Sequence, residues 1–146
     1  MAYTYPYPRP AVTVDCLIYR LNDAGINEVL LIRRANDPFK NQWALPGGFI
    51  EMDEDLHEAA KRELFEETGI VHNGLQQLFT VGTPGRDPRH RTISIIYGGV
   101  FNPDSMEIKA GDDAKDAKWF TVNSLPTLAF DHNKIIFHSF IQFIKN

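Results

Sequence analysis

Three glutamates close together in the chain are the side chains with the clearest capacity for chemistry. Glu66 and Glu67 follow Glu63 by three and four residues, so a helix would place all three carboxylates on one patch of its surface. Like charges at this spacing repel each other, and a bound cation would offset that repulsion. Mg²⁺ prefers a few carboxylates together with waters and substrate phosphates. The three glutamates therefore predict a site for a hard divalent cation with a polyphosphate ligand.

These glutamates belong to a longer pattern in residues 48–70, which we call the box. Written with U for an aliphatic residue, the box reads G-x5-E-x7-R-E-U-x-E-E-x-G-U. An acidic run on a helix is most often a solvated face, and that is the alternative interpretation. It does not explain why a Gly-Gly loop, Glu54, Arg62 and Gly69 accompany the acids. Arg62 could pair with one of the glutamates and fix its rotamer.

The box should form a helix that displays the glutamates beside the Gly-Gly loop. Asp53 is a good N-cap, and Glu54 and Asp55 would place negative charge in the first turn, where the helix dipole favours it. Gly69 supplies a residue for a left-handed C-terminal cap. The apolar stripe that would pack this helix on a sheet consists of Leu56, Ala60 and Leu64.

The box resembles the signature of the Nudix hydrolase family, whose members cleave nucleoside diphosphates linked to another moiety and use Mg²⁺ or Mn²⁺. The resemblance implies an α/β fold, a Nudix-type α/β/α sandwich with a mixed β-sheet between helices. It implies that a backbone carbonyl at Gly47 or Gly48 is a metal ligand, and that Glu54 and Arg62 brace the loop and the helix. The implied ligands of Mg²⁺, or alternatively Mn²⁺, are Gly48, Glu63, Glu66 and Glu67.

The rest of the chain supplies strands on both sides of the box and a second helix. Residues 1–10, rich in Tyr and Pro, predict an extended N-terminal arm, and residues 11–146 predict a single domain. Strand-like runs span residues 12–19, 28–33, 75–81, 92–101 and 117–120. Asp131 could cap a last helix whose apolar face consists of Ile136, Phe137, Phe140, Ile141 and Ile144. This order favours helices on both faces of a sheet.

A short basic loop in residues 83–91 is the best local indication of what the site binds. Arg86 and Arg89 flank Asp87 in a segment stiffened by two prolines, and arginine binds phosphate through two parallel hydrogen bonds. Because the chain as a whole is acidic, this loop predicts a phosphate clamp beside the metal site. The alternative is a solvated loop whose arginines pair with the acids of residues 104–116.

Five further stretches resemble the ADP-ribose pyrophosphatase-like branch of the Nudix family. They are residues 9–15, 31–34, 43–49, 85–89 and 128–132. The resemblance implies ADP-ribose as the substrate and AMP plus ribose 5-phosphate as the products. The metal would offset charge on the departing oxygen and activate water, and a carboxylate would take the proton. That carboxylate could be Glu63 or Glu67 in the box, or Asp113 or Asp112 in a later loop. The candidate catalytic residues are Arg62, Glu63, Glu66, Glu67 and Asp113.

Several residues near the box have two interpretations each. Trp43 and Phe49 flank the Gly-Gly loop and could stack on adenine or ribose, although aromatic residues in such positions more often belong to the core. Arg34, at the end of a strand, could reach a phosphate or lie at the surface. His132 has no metal-ligand spacing to another histidine. The candidate substrate-binding residues are therefore Arg34, Trp43, Phe49, Arg86, Asp87 and Arg89.

Composition narrows the class of protein and its partners. The 146 residues carry a net charge of −4, which argues against nucleic-acid binding, and 43% of them are hydrophobic, as in a globular domain. There is no signal pattern and no long apolar run, so we expect a cytoplasmic protein that binds no membrane. The lone Cys16 excludes an internal disulfide and is expected in the core. The aromatic arm favours a homodimer.

Two other functions remain open from the sequence. The box fixes the class of bond but not the leaving group, so NADH, a nucleotide sugar or a nucleoside triphosphate could be the substrate. Alternatively, the chain could be a sensor that binds a nucleotide sugar without cleaving it. The intact carboxylates, and the short segment after Phe130 in place of a winged helix, favour the enzyme over the sensor.

Overall fold

A mixed β-sheet with a helix on each face organises the chain. The computed structural model describes residues 2–109 and 114–144. In chain order, the elements are β1 (Ala11–Leu21), β2 (Asn27–Arg34), β3 (Trp43–Ala44), β4 (Gly47–Phe49), α1 (Leu56–Thr68), β5 (Gln76–Val81), β6 (Thr92–Val100), β7 (Ala114–Thr121) and α2 (His132–Gln142). The predicted strands are present, and the two short strands β3 and β4 were not foreseen.

The centre of the sheet is a parallel pair, which makes the sheet mixed. Strand β1 runs parallel to β6, and the central order is β3-β2-β1-β6-β5. Strand β4 pairs antiparallel with β1, and β7 pairs antiparallel with β2. Because β4 joins β1 directly, the loop that opens the box is attached to the middle of the sheet. The fold agrees with the predicted α/β/α sandwich.

Alternating side chains of β1 build the two halves of the core. Val14 and Cys16 point toward α1 and pack with Ala60 and Leu64, whereas Leu17 points the other way toward α2. All five are fully buried, so the prediction of a core position for Cys16 is confirmed. The helix with the acidic box residues is therefore held against the sheet by its apolar stripe.

The box helix ends where the sequence indicates but begins two residues later. Gly69 has a φ of 76° and donates its backbone N–H to the Phe65 carbonyl, as expected for a left-handed cap. The predicted N-cap, Asp53, is wrong: Asp55 takes that position, and its carboxylate accepts the Leu56 N–H. Glu54 consequently lies before the helix, where its carboxylate accepts the backbone N–H of Glu51. This loop position leaves Glu54 able to reach across to Arg62.

Helix α2 begins after Asp131, but its buried face differs from the predicted one. Asp131 is the N-cap residue by position, yet its side chain makes no capping hydrogen bond because it pairs with Arg86. The buried stripe includes Ile135 and Ile136, whereas Phe137 and Ile141 are exposed. Phe137 follows Ile135 by two residues and so lies on the opposite side of the helix. The prediction was wrong at these two positions.

The N-terminal arm lies outside the sheet. Residues 2–10 form no helix or strand and are exposed. Tyr3 and Tyr5 stack with ring centroids 6.4 Å apart, and the Arg9 guanidinium lies 3.8 Å from the Tyr5 ring centroid. Within the described ranges, neither helix has the length and apolar character needed to cross a membrane.

Candidate active site

A cavity of about 440 Å³ opens beside the box. One wall comes from the β4 loop and α1, which contribute Gly48, Glu63 and Glu67. The opposite wall comes from the loop after β5 and the start of α2. The second wall and the floor contain Thr13, Asp15, Arg34, Arg86, Asp87, Arg89, Ser94, Phe130 and His132. Residues that the sequence separates widely therefore meet around one space.

The Gly-Gly loop approaches the carboxylates so closely that a side chain would not fit there. The Gly47 N–H donates to Glu67 Oε1 at 2.6 Å, which fixes the buried Glu67 carboxylate against the loop. A Cβ added to Gly48 would lie 2.6 Å from a carboxylate oxygen of Glu63. A Cβ added to Gly47 would lie 2.3 Å from Asp15 Oδ1. At Gly47 the added Cβ would also meet the backbone carbonyl of Val14, so glycine is required there, whereas at Gly48 it would push the Glu63 carboxylate aside.

Arg62 sits at the centre of what we call the acidic cluster, formed with Glu54, Glu63 and Glu66. Its Nη2 donates to Glu54 Oε1 at 2.6 Å, and its Nη1 donates to Glu63 Oε1 at 2.9 Å and to Glu66 Oε1 at 3.2 Å. Nη2 also donates to the Phe49 carbonyl at 3.2 Å. The hydrogen bonds from Arg62 lower the pKa of Glu54 and raise that of Arg62. Arg62 thus links the loop to the helix.

The acidic cluster fits a hard cation by its chemistry, and Arg62 stands where such a cation would bind. Carboxylates are oxygen ligands that Mg²⁺ prefers, and here one guanidinium bridges Glu63 and Glu66. In residues 2–109 and 114–144, no three His, Cys, Asp or Glu side chains are gathered at metal-binding distances. A cation held by these carboxylates would therefore displace Arg62 from Glu63 and Glu66, while Glu54 could retain it.

On the opposite wall, Arg86 is the centre of a second group, which we call the buried cluster. The group consists of Asp15, Arg86, Ser94, Asp131 and His132. Arg86 Nε and Nη2 bind the two carboxylate oxygens of Asp131 at 2.9 Å and 2.8 Å, and Nη1 donates to Ser94 Oγ at 2.6 Å. The Arg86 side chain is only 5% exposed. These partners make Arg86 a fixed part of the cavity wall.

Asp87 and Arg89 form a second tight pair in the same loop. The Asp87 carboxylate accepts from the Arg89 backbone N–H at 2.9 Å and from Arg89 Nη2 at 2.8 Å. Burial alone would raise the pKa of Asp87, but the hydrogen bonds from Arg89 outweigh burial and lower it. Neither Arg86 nor Arg89 pairs with the acids of residues 104–109, the described part of the predicted partner segment. Arg86 is instead held by Asp131 at the start of α2, and Arg89 by Asp87 within the loop.

Cations and aromatic rings alternate at the mouth of the cavity. The Arg89 guanidinium carbon lies 5.0 Å from the Phe49 ring centroid and 5.6 Å from that of Phe130. The Arg34 guanidinium carbon lies 5.0 Å from the centroid of the same Phe130 ring. Arg34 Nε donates to the Pro38 carbonyl at 2.8 Å. Phe130 has a φ of 53°, an uncommon conformation for a bulky residue. Planar and anionic groups could both be bound here.

The comparison with protein families decides which family this chain represents. A model described as the NUDIX domain matches residues 9–139. The chain belongs to the NUDIX family. Members of this family generally use divalent metal ions, which agrees with the chemistry of the acidic cluster.

Relatives of this NUDIX domain include both enzymes and regulators. It is 48% identical over 130 residues to an ADP-ribose pyrophosphatase of Methanocaldococcus jannaschii, covering 89% of this chain and 73% of the relative. It is 36% identical over 140 residues to the ADPR responsive transcriptional repressor NtrR of Acinetobacter baylyi, covering 93% of this chain and 55% of that one. The chain therefore spans about half the length of the repressor.

A solved structure gives the same picture of the fold. The NUDIX domain of Shewanella oneidensis NrtR, crystallised in complex with ADP ribose, matches with a TM-score of 0.80 and 34% identity. The match covers 93% of this chain and 91% of that one. The fold of this NUDIX domain therefore resembles that of a domain crystallised with ADP ribose.

Most of the predicted site residues of this NUDIX domain border one cavity. Arg34, Phe49, Arg62, Glu63 and Glu67 line it, as do Gly48, Arg86, Asp87 and Arg89. Glu66 points toward Arg62, with 47% of its side chain exposed. Trp43 packs edge-on against Phe120 with the ring centroids 4.9 Å apart, which corresponds to its core interpretation. Asp113 and Asp112 lie outside the described residues.

Two buried residues of the cavity floor were missed by sequence reasoning. Asp15 lies in β1 between the core residues Val14 and Cys16, and a charged residue inside such an apolar run was the signal that could have identified it. His132 accepts the Leu45 N–H at Nδ1 over 2.9 Å. Burial raises the pKa of Asp15 to about 7 and lowers that of His132 to about 3.

Proposed function

We propose that this NUDIX domain hydrolyses ADP-ribose to AMP and ribose 5-phosphate. The observation that carries the proposal is one cavity with carboxylates of the box on one wall and arginines and aromatic rings on the other. A diphosphate needs a cation to offset its charge, and a nucleoside offers a flat base and sugar hydroxyls. The similarity to an ADP-ribose pyrophosphatase and to a domain crystallised with ADP ribose supports this substrate over others.

In this proposal, the box residues hold Mg²⁺, with Mn²⁺ as the alternative. The ligands would be the carboxylates of Glu63, Glu66 and Glu67 and the backbone carbonyl of Gly48. When bound, such an ion neutralises phosphate charge and lowers the pKa of coordinated water. Arg62 would stay on Glu54 and keep the loop against the helix. The Gly47 N–H holds Glu67 in place for its role.

The other wall would bind and orient the substrate. Arg89 and Arg34 present charge beside the cavity and could contact the phosphates, while Phe49 and Phe130 offer ring surfaces to the base. Arg86, which is fully engaged with Asp131 and Ser94, is better suited to position the wall than to clamp a phosphate. This division assigns contact with the phosphates to Arg34 and Arg89 and positioning of the wall to Arg86, in place of the predicted clamp by Arg86 and Arg89.

A carboxylate near the cavity would accept the proton released by the attacking water. Glu63 and Glu67 both line the cavity and are the candidates within the box. Asp113, the candidate from the later loop, stays a prediction. The homodimer, the cytoplasmic location and the lack of nucleic-acid or membrane binding also stay predictions.

A second candidate function is binding of ADP-ribose without cleavage, in the manner of a sensor. Its support is the similarity to the ADPR responsive repressor of A. baylyi and to the NrtR domain of S. oneidensis. The complete carboxylate set of the box favours hydrolysis over binding alone.

A product assay by mass spectrometry would decide between these functions. ADP-ribose, NADH, a nucleotide sugar and a nucleoside triphosphate would be incubated in parallel with Mg²⁺, with Mn²⁺ and with EDTA. The proposal predicts AMP plus ribose 5-phosphate from ADP-ribose, in a metal-dependent reaction with the highest kcat/KM of the four. Turnover of a different compound would reject the substrate, and tight binding of ADP-ribose without products would favour the sensor.

A further inference from the structure

Asp15 and His132 face each other across a small gap in the floor of the cavity. Both line the cavity, and both side chains are at least nine-tenths buried. His132 Nε2 lies 3.9 Å from Asp15 Oδ2. That separation is longer than a hydrogen bond, for which about 2.7–3.2 Å is usual. The two groups therefore approach each other without bonding directly.

The backbone fixes which ring nitrogen of His132 carries the proton. Nδ1 accepts the Leu45 N–H at 2.9 Å, so the neutral ring carries its hydrogen on Nε2. Burial lowers the pKa of His132 to about 3, which keeps the ring neutral at pH 7. A donor, Nε2–H, is consequently presented toward the carboxylate acceptor of Asp15.

A hydroxyl group matches this arrangement because it accepts and donates at once. Two hydrogen bonds of about 2.8 Å, one from Nε2–H and one to Oδ2, would place an oxygen between groups 3.9 Å apart with an angle of about 90° at that oxygen. A protonated amine has no lone pair with which to accept from Nε2–H, and an ionised phosphate oxygen has no hydrogen to donate to Oδ2. The gap is therefore suited to a neutral hydroxyl.

The surroundings hold the pair in place and set it next to the phosphate region. Ser94 hydrogen-bonds the Asp15 carboxylate, and Ser94 is itself held by Arg86. Asp15 pairs with Gly47 in the sheet, and Gly47 holds the Glu67 carboxylate of the box. A hydroxyl in the gap would thus belong to a sugar carried close to the diphosphate.

We propose that His132 and Asp15 together recognise one ribose hydroxyl of the substrate and select the intact sugar over its deoxy counterpart. This inference rests on the proposed function, because it takes ADP-ribose as the ligand. It assigns a specificity-determining role to two residues outside the box.

The test compares ADP-ribose with analogues that each lack one ribose hydroxyl. For each, kcat/KM would be measured with Mg²⁺ on the wild type and on His132→Asn and His132→Gln. The Asn carbonyl can keep the acceptor near Nδ1 but removes the Nε2 donor, whereas the Gln amide can keep a donor near Nε2. His138→Asn is the matched control, since His138 lies exposed on the same helix against Phe79.

For one analogue, the wild type and the His138→Asn variant should prefer ADP-ribose by about tenfold. That preference should fall to within about twofold in His132→Asn and be largely retained in His132→Gln. A purely structural role for His132 would lower kcat/KM for both ligands and leave their ratio unchanged, which would overturn the inference. So would a wild type that treats every analogue like ADP-ribose.

Two further measurements keep the inference testable if one arm fails. If thermal melting shows that His132→Asn is unfolded, Asp15→Asn takes its place and should reduce the same ratio. If the wild type does not hydrolyse ADP-ribose, the proposed function fails, and calorimetric Kd values for the same ligand pair test hydroxyl recognition alone. If ADP-ribose is neither hydrolysed nor bound, both proposals are rejected.

Discussion

Two arginines, one on each wall of the cavity, are surrounded by acidic side chains in contrasting ways. Arg62 contacts three carboxylates of the acidic cluster, and 23% of its side chain is exposed. Arg86 binds one carboxylate, that of Asp131, through two hydrogen bonds and is almost fully buried. The same residue type thus stands in an acid-rich, accessible setting on one wall and in a matched, enclosed setting on the other.

The balance of charge decides what each arginine can do. Four carboxylates, those of the acidic cluster and the more distant Glu51, lie around Arg62 and leave a surplus of negative charge that attracts a cation. Its partial exposure lets the guanidinium move aside. Around Arg86, charge and hydrogen bonds are matched, and removing one partner of a buried pair leaves the other uncompensated. An acid-rich rim suits a metal site, whereas a matched buried pair suits a scaffold that fixes neighbouring groups.

The largest expected difference between the two arginines is in their contribution to folding stability. Arg86→Ala should lower the free energy of unfolding by about 3–5 kcal/mol, because Asp131 would be left partly buried without its partner. Arg62→Ala should cost about 1 kcal/mol or less, because the Arg62 side chain is 23% exposed and water screens its ion pairs. Urea denaturation of both variants measures the difference. Equal losses would show that the two arginines have the same structural role.

The next largest effect concerns catalytic turnover and the wall with the acidic cluster. Glu67→Gln should reduce turnover of ADP-ribose at least about 100-fold, since it removes a carboxylate proposed to hold the metal. The Gln side-chain carbonyl can still accept the Gly47 N–H, so the fold should survive. Mg²⁺ should raise the Tm of the wild type and have a smaller effect on this variant.

Glu58→Gln provides the matched control for that experiment. Glu58 lies in the first turn of the same helix and is exposed, with its carboxylate beside His57. It should keep wild-type turnover and the full Mg²⁺ response. A Glu67→Gln variant with near-normal turnover would remove Glu67 from the proposed metal site.

The two walls also differ in how far the sequence could predict them. The wall with the acidic cluster consists of residues within one helix and its preceding loop. Spacing alone therefore indicated the patch of Glu63, Glu66 and Glu67. Even there, the predicted N-cap was Asp53 and the observed one is Asp55, because several adjacent acids satisfy the same capping preference. Element boundaries depend on such local choices and on tertiary contacts.

The wall with the buried cluster depends on contacts that the spacing of residues in the sequence does not reveal. Arg86 and Asp131 are 45 positions apart, and Leu45 and His132 are 87 apart. The sequence indicated that Arg86 could bind an anion, but it could not show that a carboxylate of the protein takes that place. The sequence indicated only that His132 has no metal-ligand spacing to another histidine, whereas its place in the cavity depends on a hydrogen bond from the Leu45 backbone.

A third effect, on the pH dependence of stability, distinguishes the two titrating groups of the buried cluster, Asp15 and His132. The pKa of Asp15 is raised from 3.8 to about 7, because burial favours the protonated carboxyl. The stability that the protonated form contributes is therefore lost as pH rises through 7. The pKa of His132 is lowered from 6.5 to about 3, so its contribution is lost as pH falls through 3. Between these limits, the two contributions change in opposite directions.

Variants at the two positions should therefore differ from the wild type with opposite slopes. Between pH 4 and pH 6.5, stability relative to wild type should fall with rising pH for His132→Asn and rise for Asp15→Asn. The change is on the order of 3 kcal/mol in each case. Urea denaturation at several pH values measures both slopes, and slopes of the same sign would contradict the two assigned shifts.

The smallest effect concerns Arg89, which is intermediate between the two central arginines. Arg89 is bound to the buried Asp87 carboxylate, yet 35% of its side chain is exposed and it contacts Phe49 and Phe130 at the cavity mouth. If it contacts the substrate phosphates, Arg89→Ala should raise KM for ADP-ribose by about 3- to 10-fold with little change in kcat. The control is Arg33→Ala, because Arg33 is exposed and donates to the Asn41 carbonyl outside the cavity lining. A lower kcat at constant KM would instead group Arg89 with Arg86, as a residue that positions the wall and does not hold the ligand.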